Sequence, residues 1–194
     1  MKPNKDLQKL RQDIIFTTTL HGREFTFHST WGLFNPRDID EGSRLLIENL
    51  KVDGQETILD LCCGYGAIGL ALAPQTSGAV HMTDKDFVAI AYAQKNAKIN
   101  QLKNCQIYLS NAFNQIPQEQ KFDLIVSNLP AKVGSELLFL IINDAKEHLN
   151  KGGKFYVVTI SGLKEYIKRN FNEAFGNYKK IAQGKTYTVS VAEK

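Results

Sequence analysis

The sequence predicts an α/β fold: a mostly parallel sheet of seven strands, with helices on both faces and an antiparallel hairpin at its C-terminal end. First, strand-like and helix-like patterns alternate from residue 57 to residue 175, which is typical of parallel strands joined by right-handed crossovers. Second, the glycine turn Gly64-Tyr65-Gly66 joins a buried apolar run to a helical run. Third, residues 178–182 and 186–191 alternate apolar and polar side chains, which predicts the closing hairpin.

Length and composition indicate one globular domain. A chain of 194 residues can form a full hydrophobic core, so we expect a single domain, residues 1–194, in which a hairpin and cap helix at residues 1–50 precede the core at residues 51–194. Apolar residues make up 43% and charged residues 23%, as is ordinary for globular proteins. Because the sequence has no apolar run of about 18 residues and no signal-peptide pattern, it predicts a cytoplasmic protein without a membrane span.

Charge and cysteine content leave the partner open. The net charge of +4 is compatible with an RNA partner, but a slight lysine excess on any soluble protein explains it equally well. Cys62, Cys63 and Cys105 lack the spacing of metal ligands and lie in apolar contexts, so we expect buried, reduced thiols and no metal site. The sequence does not distinguish a monomer from a homodimer.

Three elements are predicted before the core. Residues 1–13 form a start that is either frayed or helical, and residues 14–20 pair with residues 24–28 in a hairpin. A helix follows at residues 38–50. Leu7 and Leu10 would be the apolar residues of the short first helix. Gly22 is expected in the hairpin turn, and Asp38 is the expected N-cap of the later helix.

The core follows as alternating strands and helices. Strands are predicted at residues 57–61, 79–83, 105–109, 122–127 and 154–160, and helices at residues 67–73, 86–100, 135–149 and 162–175. Pro74 should end the first of these helices, and Asp86 should cap the second. Gly152 and Gly153 are expected to end the connection that leads into the fifth strand.

The glycine turn is a candidate ligand site. From Gly64 to Gly69 the sequence matches G-x-G-x-x-G, and Asp84 lies twenty positions after Gly64, so a dinucleotide is one possible ligand. Asp60, however, would bring a carboxylate to the place where a diphosphate binds. A cationic ligand such as S-adenosylmethionine suits Asp60 better, and its ribose hydroxyls can still bind Asp84. We therefore favour the methyl donor over the dinucleotide, and both over a turn without a ligand.

Polar residues follow each of the first four core strands. The positions concerned are Gly64 with Gly66, Asp84, Asn111, and Asn128. Open α/β sheets bind ligands at the carboxyl ends of their strands, so these residues are expected to converge on one crevice.

Asn128-Leu129-Pro130 is the candidate catalytic motif. Pro130 favours an extended Leu129, so the Asn128 side-chain oxygen and the Leu129 carbonyl could both face the crevice. Two acceptors at this place suit a planar exocyclic amine, which they would orient towards an electrophilic methyl group. The alternative is that Asn128-Leu129-Pro130 is an ordinary turn that ends a strand and has no catalytic role.

These motifs resemble those of class I S-adenosylmethionine-dependent methyltransferases, which share a Rossmann-like fold. More narrowly, the chain resembles the small domain methyltransferases, whose members include guanine-N2 methyltransferases of small-subunit ribosomal RNA. The resemblance implies that Asn128, Leu129 and Pro130 are catalytic. It implies a cofactor site formed by Phe34, Asp60, Cys62, Gly64, Gly66, Asp84, Asn111 and Ala112.

The sequence departs from the family pattern at two positions. Cys62 replaces the first glycine of the cofactor signature, and Ala131 replaces an aromatic residue that stacks on the target base. Trp31, Phe34 or Tyr65 could stack instead; otherwise Trp31 and Phe34 would pack in the core and Tyr65 would lie on an exposed turn.

The resemblance implies N-methylation of an exocyclic amine, guanine N2 in ribosomal or other structured RNA. One alternative is methylation of a protein glutamine amide, which is also a planar NH2 group. The other is a methyltransferase-like RNA-binding or assembly protein without turnover.

Overall fold

The computed structural model describes residues 12–131 and 133–194. The predicted start with Leu7 and Leu10 lies outside these residues. The strands are β1 (Ile14–Leu20), β2 (Arg23–Ser29), β3 (Ile58–Leu61), β4 (Val80–Asp84), β5 (Cys105–Leu109), β6 (Phe122–Asn128), β7 (Leu149–Ile160), β8 (Lys179–Gln183) and β9 (Tyr187–Glu193). The helices are α1 (Glu41–Asn49), α2 (Ala67–Leu72), α3 (Phe87–Ile99), α4 (Ser135–His148) and α5 (Lys164–Phe175).

Seven strands form the central sheet in the order β5-β4-β3-β6-β7-β9-β8. The five strands from β5 to β7 pair in parallel, and β9 pairs antiparallel with both β7 and β8. The predicted α/β fold with a mostly parallel sheet and a C-terminal hairpin is therefore confirmed. The chain moves outward from β3 to β4 and β5, then returns to β6 on the other side of β3. Open α/β sheets bind ligands in the crevice outside the carboxyl ends of the strands where the strand order reverses, and here those strands are β3 and β6.

Helices cover both faces of the sheet, as predicted. Alternation along the strands sends Ile58 to the face covered by α1, α2 and α3, and Leu59 to the face covered by α4 and α5. Among the described residues, no helix has both the length and the apolar character that crossing a membrane requires.

The N-terminal hairpin, β1 with β2, is a separate two-stranded sheet that docks on α3. Asn100 bonds both the amide (3.0 Å) and the carbonyl (2.8 Å) of Thr26 through its side chain. Asn96 does the same with the amide (2.8 Å) and carbonyl (2.9 Å) of His28. The two asparagines thus supply the backbone partners that another strand would otherwise provide along this edge of β2.

Two predicted boundaries were wrong. Helix α1 is capped by Asp40 rather than Asp38, because the Asp40 carboxylate accepts the amides of Gly42 (2.9 Å) and Ser43 (3.2 Å). Strand β7 begins at Leu149 rather than residue 154, so it includes both predicted end glycines. The amide of Gly152 donates to the carbonyl of Lys194, and the carbonyl of Gly153 accepts from the Lys194 amide. These two bonds hold the stretch in place, although Gly152 itself has a left-handed backbone, with φ of 78°.

Candidate active site

The turn between β3 and α2 brings the backbone to the edge of the crevice. Cys62, Gly64 and Gly66 all have left-handed backbone conformations, with φ of 61°, 57° and 93°. A Cβ atom on Gly64 would meet no atom within 4 Å, whereas one on Gly66 would lie 2.9 Å from the Leu70 side chain. Gly64 therefore leaves its side of the turn open to a ligand, while Gly66 allows the turn to pack against α2. Cys62 adopts a conformation that glycine tolerates far better.

Asp84 at the end of β4 joins this turn to the next loop. Its Oδ2 accepts the Gly64 amide at 2.9 Å, and its Oδ1 accepts the Asp86 amide at 3.0 Å. Each carboxylate oxygen has further lone pairs. Because Asp84 is only half-buried, these lone pairs can still accept hydrogen bonds from ligand hydroxyls.

Asp60 lies beneath the turn and is fully buried. Its Oδ2 accepts the Gly69 amide at 2.7 Å, and its Oδ1 has no hydrogen-bond partner among the described residues. Burial raises the pKa of Asp60 to about 7, against the opposing effect of the Gly69 bond and with a smaller contribution from Asp84. Direct contact of Asp60 with the cationic end of a ligand stays a prediction.

The thiols beside the turn are not reactive groups. Burial, with the nearby charges of Asp84 and Asp60, raises the pKa of the Cys62 thiol to about 12. Burial also raises the pKa of Cys63 well above its ordinary value. Both thiols are therefore protonated at neutral pH, which disfavours nucleophilic and metal-binding roles. Within residues 12–131 and 133–194, no group of three or more His, Cys, Asp or Glu side chains could hold a metal ion.

The loop after β5 is shaped by Ser110, a residue that sequence reasoning missed. The Ser110 hydroxyl donates to the Ala112 carbonyl at 2.6 Å and accepts the Gln115 amide at 3.1 Å. Ala112 has a left-handed backbone, with φ of 49°, and Asn111 is exposed. Asn111 is therefore accessible at the same edge of the sheet as Asp84, as its predicted role requires.

Asn128 ends β6 on the other side of the crevice. Its amide nitrogen donates to Oδ2 of Asp40 at 2.9 Å and to the Ser43 hydroxyl at 3.0 Å. Both hydrogens of the amide are therefore directed at α1, and its oxygen points away from these partners. Leu129 is buried and its amide donates to the Val158 carbonyl at 3.1 Å, while Pro130 is half-buried.

The segment from Asn35 to Asp40 connects the two sides of the crevice. The hydroxyl of Tyr65, in the glycine turn, donates to the carbonyls of Asp38 (2.9 Å) and Asn35 (3.3 Å). At its other end the segment holds Asn128 through Asp40. These contacts were not predicted, because they depend on which residues meet in the folded chain.

The exposure of the three aromatic side chains is the reverse of what core packing of Trp31 and Phe34 and an exposed Tyr65 would give. Tyr65 is only 5% exposed, so it is neither on an exposed turn nor free to stack on a base. Trp31 is 46% and Phe34 64% exposed, so neither is a core residue. The guanidinium of Arg37 lies 4.7 Å from the centre of the Trp31 ring. Two exposed aromatics therefore remain as candidates for the stacking role that the exposed Ala131 cannot fill.

Known relatives include ribosomal RNA methyltransferases. The chain is 36% identical over 174 residues to ribosomal RNA small subunit methyltransferase C of Haemophilus influenzae, covering 86% of this chain and 51% of that protein. It is 30% identical over 187 residues to ribosomal RNA large subunit methyltransferase G of Klebsiella pneumoniae, covering 92% of this chain and 49% of that protein. It therefore spans about half the length of these two relatives. The uncharacterized protein YbxB of Bacillus subtilis matches at 33% identity over 179 residues, which is 90% of this chain and 89% of that protein.

A solved structure and a family model agree with these relatives. The 16S rRNA N2 methyltransferase of T. thermophilus, solved with AdoMet and guanosine, superimposes with a TM-score of 0.86 at 31% identity. The match covers 93% of this chain and 50% of that one. The family model described as "methyltransferase small domain" matches residues 24–191. The chain belongs to the methyltransferase small domain family.

Proposed function

We propose that the protein is an S-adenosylmethionine-dependent N-methyltransferase whose acceptor is an exocyclic amine, guanine N2 of ribosomal RNA. The observation that carries this proposal is the orientation of Asn128. Its NH2 group is bonded to Asp40 and Ser43, so its oxygen is the atom left to accept a hydrogen bond from an amine. The names of the relatives and the guanosine in the related T. thermophilus structure support the choice of acceptor.

The residues on the other side of the crevice fit S-adenosylmethionine. Gly64 leaves open space beside the turn, and Asp84 offers a half-buried carboxylate to the ribose hydroxyls. Oδ1 of Asp60, which has no partner within residues 12–131 and 133–194, suits a positively charged ligand better than a diphosphate. When bound, this cofactor supplies an electrophilic methyl group.

The chain's own contribution is to position the acceptor. The Asn128 oxygen and the Leu129 carbonyl would accept the two N–H bonds of a planar amine and fix its direction. Because Asn128 is held by two bonds from α1, little reorganisation is needed when the amine arrives. Exposed Trp31 and Phe34 would provide the apolar surface on which a base stacks.

The test is methyl transfer by the wild-type protein and by Asn128→Ala, using radiolabelled S-adenosylmethionine with transcripts of small- and large-subunit rRNA. We expect labelled N2-methylguanosine from the wild type and a loss of about 100-fold or more in kcat for Asn128→Ala. The affinity for S-adenosylmethionine, measured by calorimetry, should stay within about two-fold, because Asn128 orients the acceptor rather than the donor.

Asn143→Ala is the matched control. Asn143 is half-buried on α4, and among the described residues its amide donates only to a carbonyl of its own helix, that of Phe139, so its loss should leave kcat unchanged. Label in protein glutamine instead of RNA would favour the alternative acceptor. RNA binding without affinity for S-adenosylmethionine would favour the non-catalytic alternative and contradict the proposal.

A further inference from the structure

We infer that Asp40 is a positioning residue that fixes which end of the Asn128 amide faces the acceptor. The inference rests on the proposed function, since it explains how Asn128 presents an oxygen to an amine. The relevant contact is the 2.9 Å bond from the Asn128 nitrogen to Oδ2 of Asp40. Asp40 is only 8% exposed, so water competes little for this bond.

An asparagine amide can occupy the same space in two orientations that differ by a half-turn. In one orientation Asn128 offers an acceptor to the crevice, and in the other it offers NH2 donors. An amine whose N–H bonds must be accepted can be held only by the first. The side chain that bonds the inner end of the amide decides between the two orientations. A carboxylate in that position can only accept hydrogen bonds. Asp40 therefore selects the orientation that turns the Asn128 nitrogen inward and leaves its oxygen for the acceptor.

Asp40 is itself held in place by groups from distant parts of the chain. Its Oδ2 also accepts the amides of Gly42 and Ser43, which cap α1. Its Oδ1 accepts the hydroxyl of Tyr187 in β9 at 3.1 Å, across 147 positions of the sequence. Because four donors are directed at it, the Asp40 carboxylate is held in one orientation.

Gly42 gives independent support for the same arrangement. A Cβ atom there would lie 2.7 Å from the Tyr187 ring and 2.9 Å from Oδ2 of Asp40. Gly42 has an ordinary helical position, so backbone conformation does not require glycine. The missing side chain leaves the room in which Tyr187 reaches Asp40.

A purely structural role for Asp40 as the N-cap of α1 would explain part of this geometry, so the test must separate capping from positioning. Asp40→Ser keeps a good N-cap but has a side chain too short to reach Asn128. Asp40→Asn keeps both the cap and the reach but replaces the charged acceptor with a neutral one and adds a competing NH2 group.

We expect kcat on the rRNA transcripts to fall about 100-fold in Asp40→Ser and about 10-fold in Asp40→Asn. The dissociation constant for S-adenosylmethionine should change by less than about two-fold in both. Thermal unfolding of the two variants checks that the cap is retained. If both variants keep wild-type kcat, Asp40 is only a cap and the inference is wrong.

A second readout needs no catalysis. The side-chain NH2 signal of Asn128 in a 1H–15N NMR spectrum can be assigned by its absence in Asn128→Ala. A charge-assisted hydrogen bond should shift this signal downfield in the wild type, and Asp40→Ser and Asp40→Asn should both move it. An unmoved signal overturns the inference even if methyl transfer is observed. A moved signal with no methyl transfer by the wild type supports the positioning contact while contradicting the proposed function.

Discussion

The two sides of the crevice are built in different ways. We call the turn between β3 and α2, together with the end of β4, the cofactor half, after the ligand proposed for it. It is held by hydrogen bonds of short sequence separation. Asp84 meets Gly64 across 20 positions, and Asp60 meets Gly69 across 9. The acceptor half, formed by the end of β6 and the start of α1, joins Asn128 to Asp40 across 88 positions. The cofactor half is therefore a local strand–turn–helix unit, whereas the acceptor half exists only when distant segments have packed together.

The two halves also treat a buried carboxylate differently. Asp40 in the acceptor half accepts four hydrogen bonds, from the amides of Gly42 and Ser43 and from the side chains of Asn128 and Tyr187. Asp60 in the cofactor half accepts one from the described residues, and burial raises its pKa to about 7. A buried carboxylate with few hydrogen-bond donors around it can be stabilised by contact with a cationic ligand. A carboxylate that already accepts several hydrogen bonds instead stabilises the segments that supply the donors.

Asp84→Ala is expected to have the largest effect, and to change the cofactor half without changing the acceptor half. This change removes the acceptor of the Gly64 amide and the predicted ribose ligand, so affinity for S-adenosylmethionine should fall about 100-fold by calorimetry. The NMR signal of the Asn128 amide should not move. Asp86→Ser is the control, because it removes a carboxylate two residues away while keeping the cap of α3. Equal losses in both variants would mean that the effect is general electrostatics and not the Asp84 contacts.

A smaller effect, on stability, is expected from Asp60→Asn. Because the pKa of Asp60 in the folded chain is raised above its unfolded value of 3.8, its stabilising contribution is present at low pH and is lost as the pH rises through about 7. The free energy of unfolding of Asp60→Asn relative to wild type should therefore increase between about pH 4 and pH 8, the range over which Asp60 loses its proton.

Urea unfolding at several pH values measures this difference. Parallel pH profiles for Asp60→Asn and wild type would show that Asp60 is already ionised in the folded protein and that the contrast with Asp40 is mistaken.

The smallest effect is expected where the two halves are joined. Tyr65→Phe removes the hydroxyl that bonds the carbonyls of Asp38 and Asn35, so the unfolding free energy should fall by about 1 kcal/mol. Since this bond links the glycine turn to the segment that carries Asp40, we expect both cofactor affinity and kcat to fall about three-fold.

Tyr166→Phe is the matched control for this change. Its hydroxyl also bonds a backbone carbonyl, that of Ser135, but between α5 and the start of α4. It should alter stability while leaving both functional measurements unchanged. If Tyr65→Phe affects only one half, the two sides are held independently.

Local patterns were enough to predict the fold class and the strand–turn–helix unit at which we propose that the cofactor binds. A strand of apolar residues, a glycine turn and a helical run form a unit whose parts are neighbours in sequence, and Asp84 ends the next strand along. Parallel order then fixes which loops share an edge, so Asn111 and Asn128 could be expected at the same crevice. Hydrophobic periodicity and turn residues carry this information because they act over a few residues.

Packing in three dimensions was needed for the acceptor half. No local pattern indicates that Asp40 rather than Asp38 caps α1, that Tyr187 lies against it, or that Tyr65 is buried. These outcomes depend on which donors and acceptors come into contact when α1, β6 and β9 pack together. The contacting residues lie 85 to 147 positions apart, so the sequence around each of them carries no signal of the contact. The Asn128 motif could therefore be found in the sequence, but the direction of its amide is set by side chains from elsewhere in the fold.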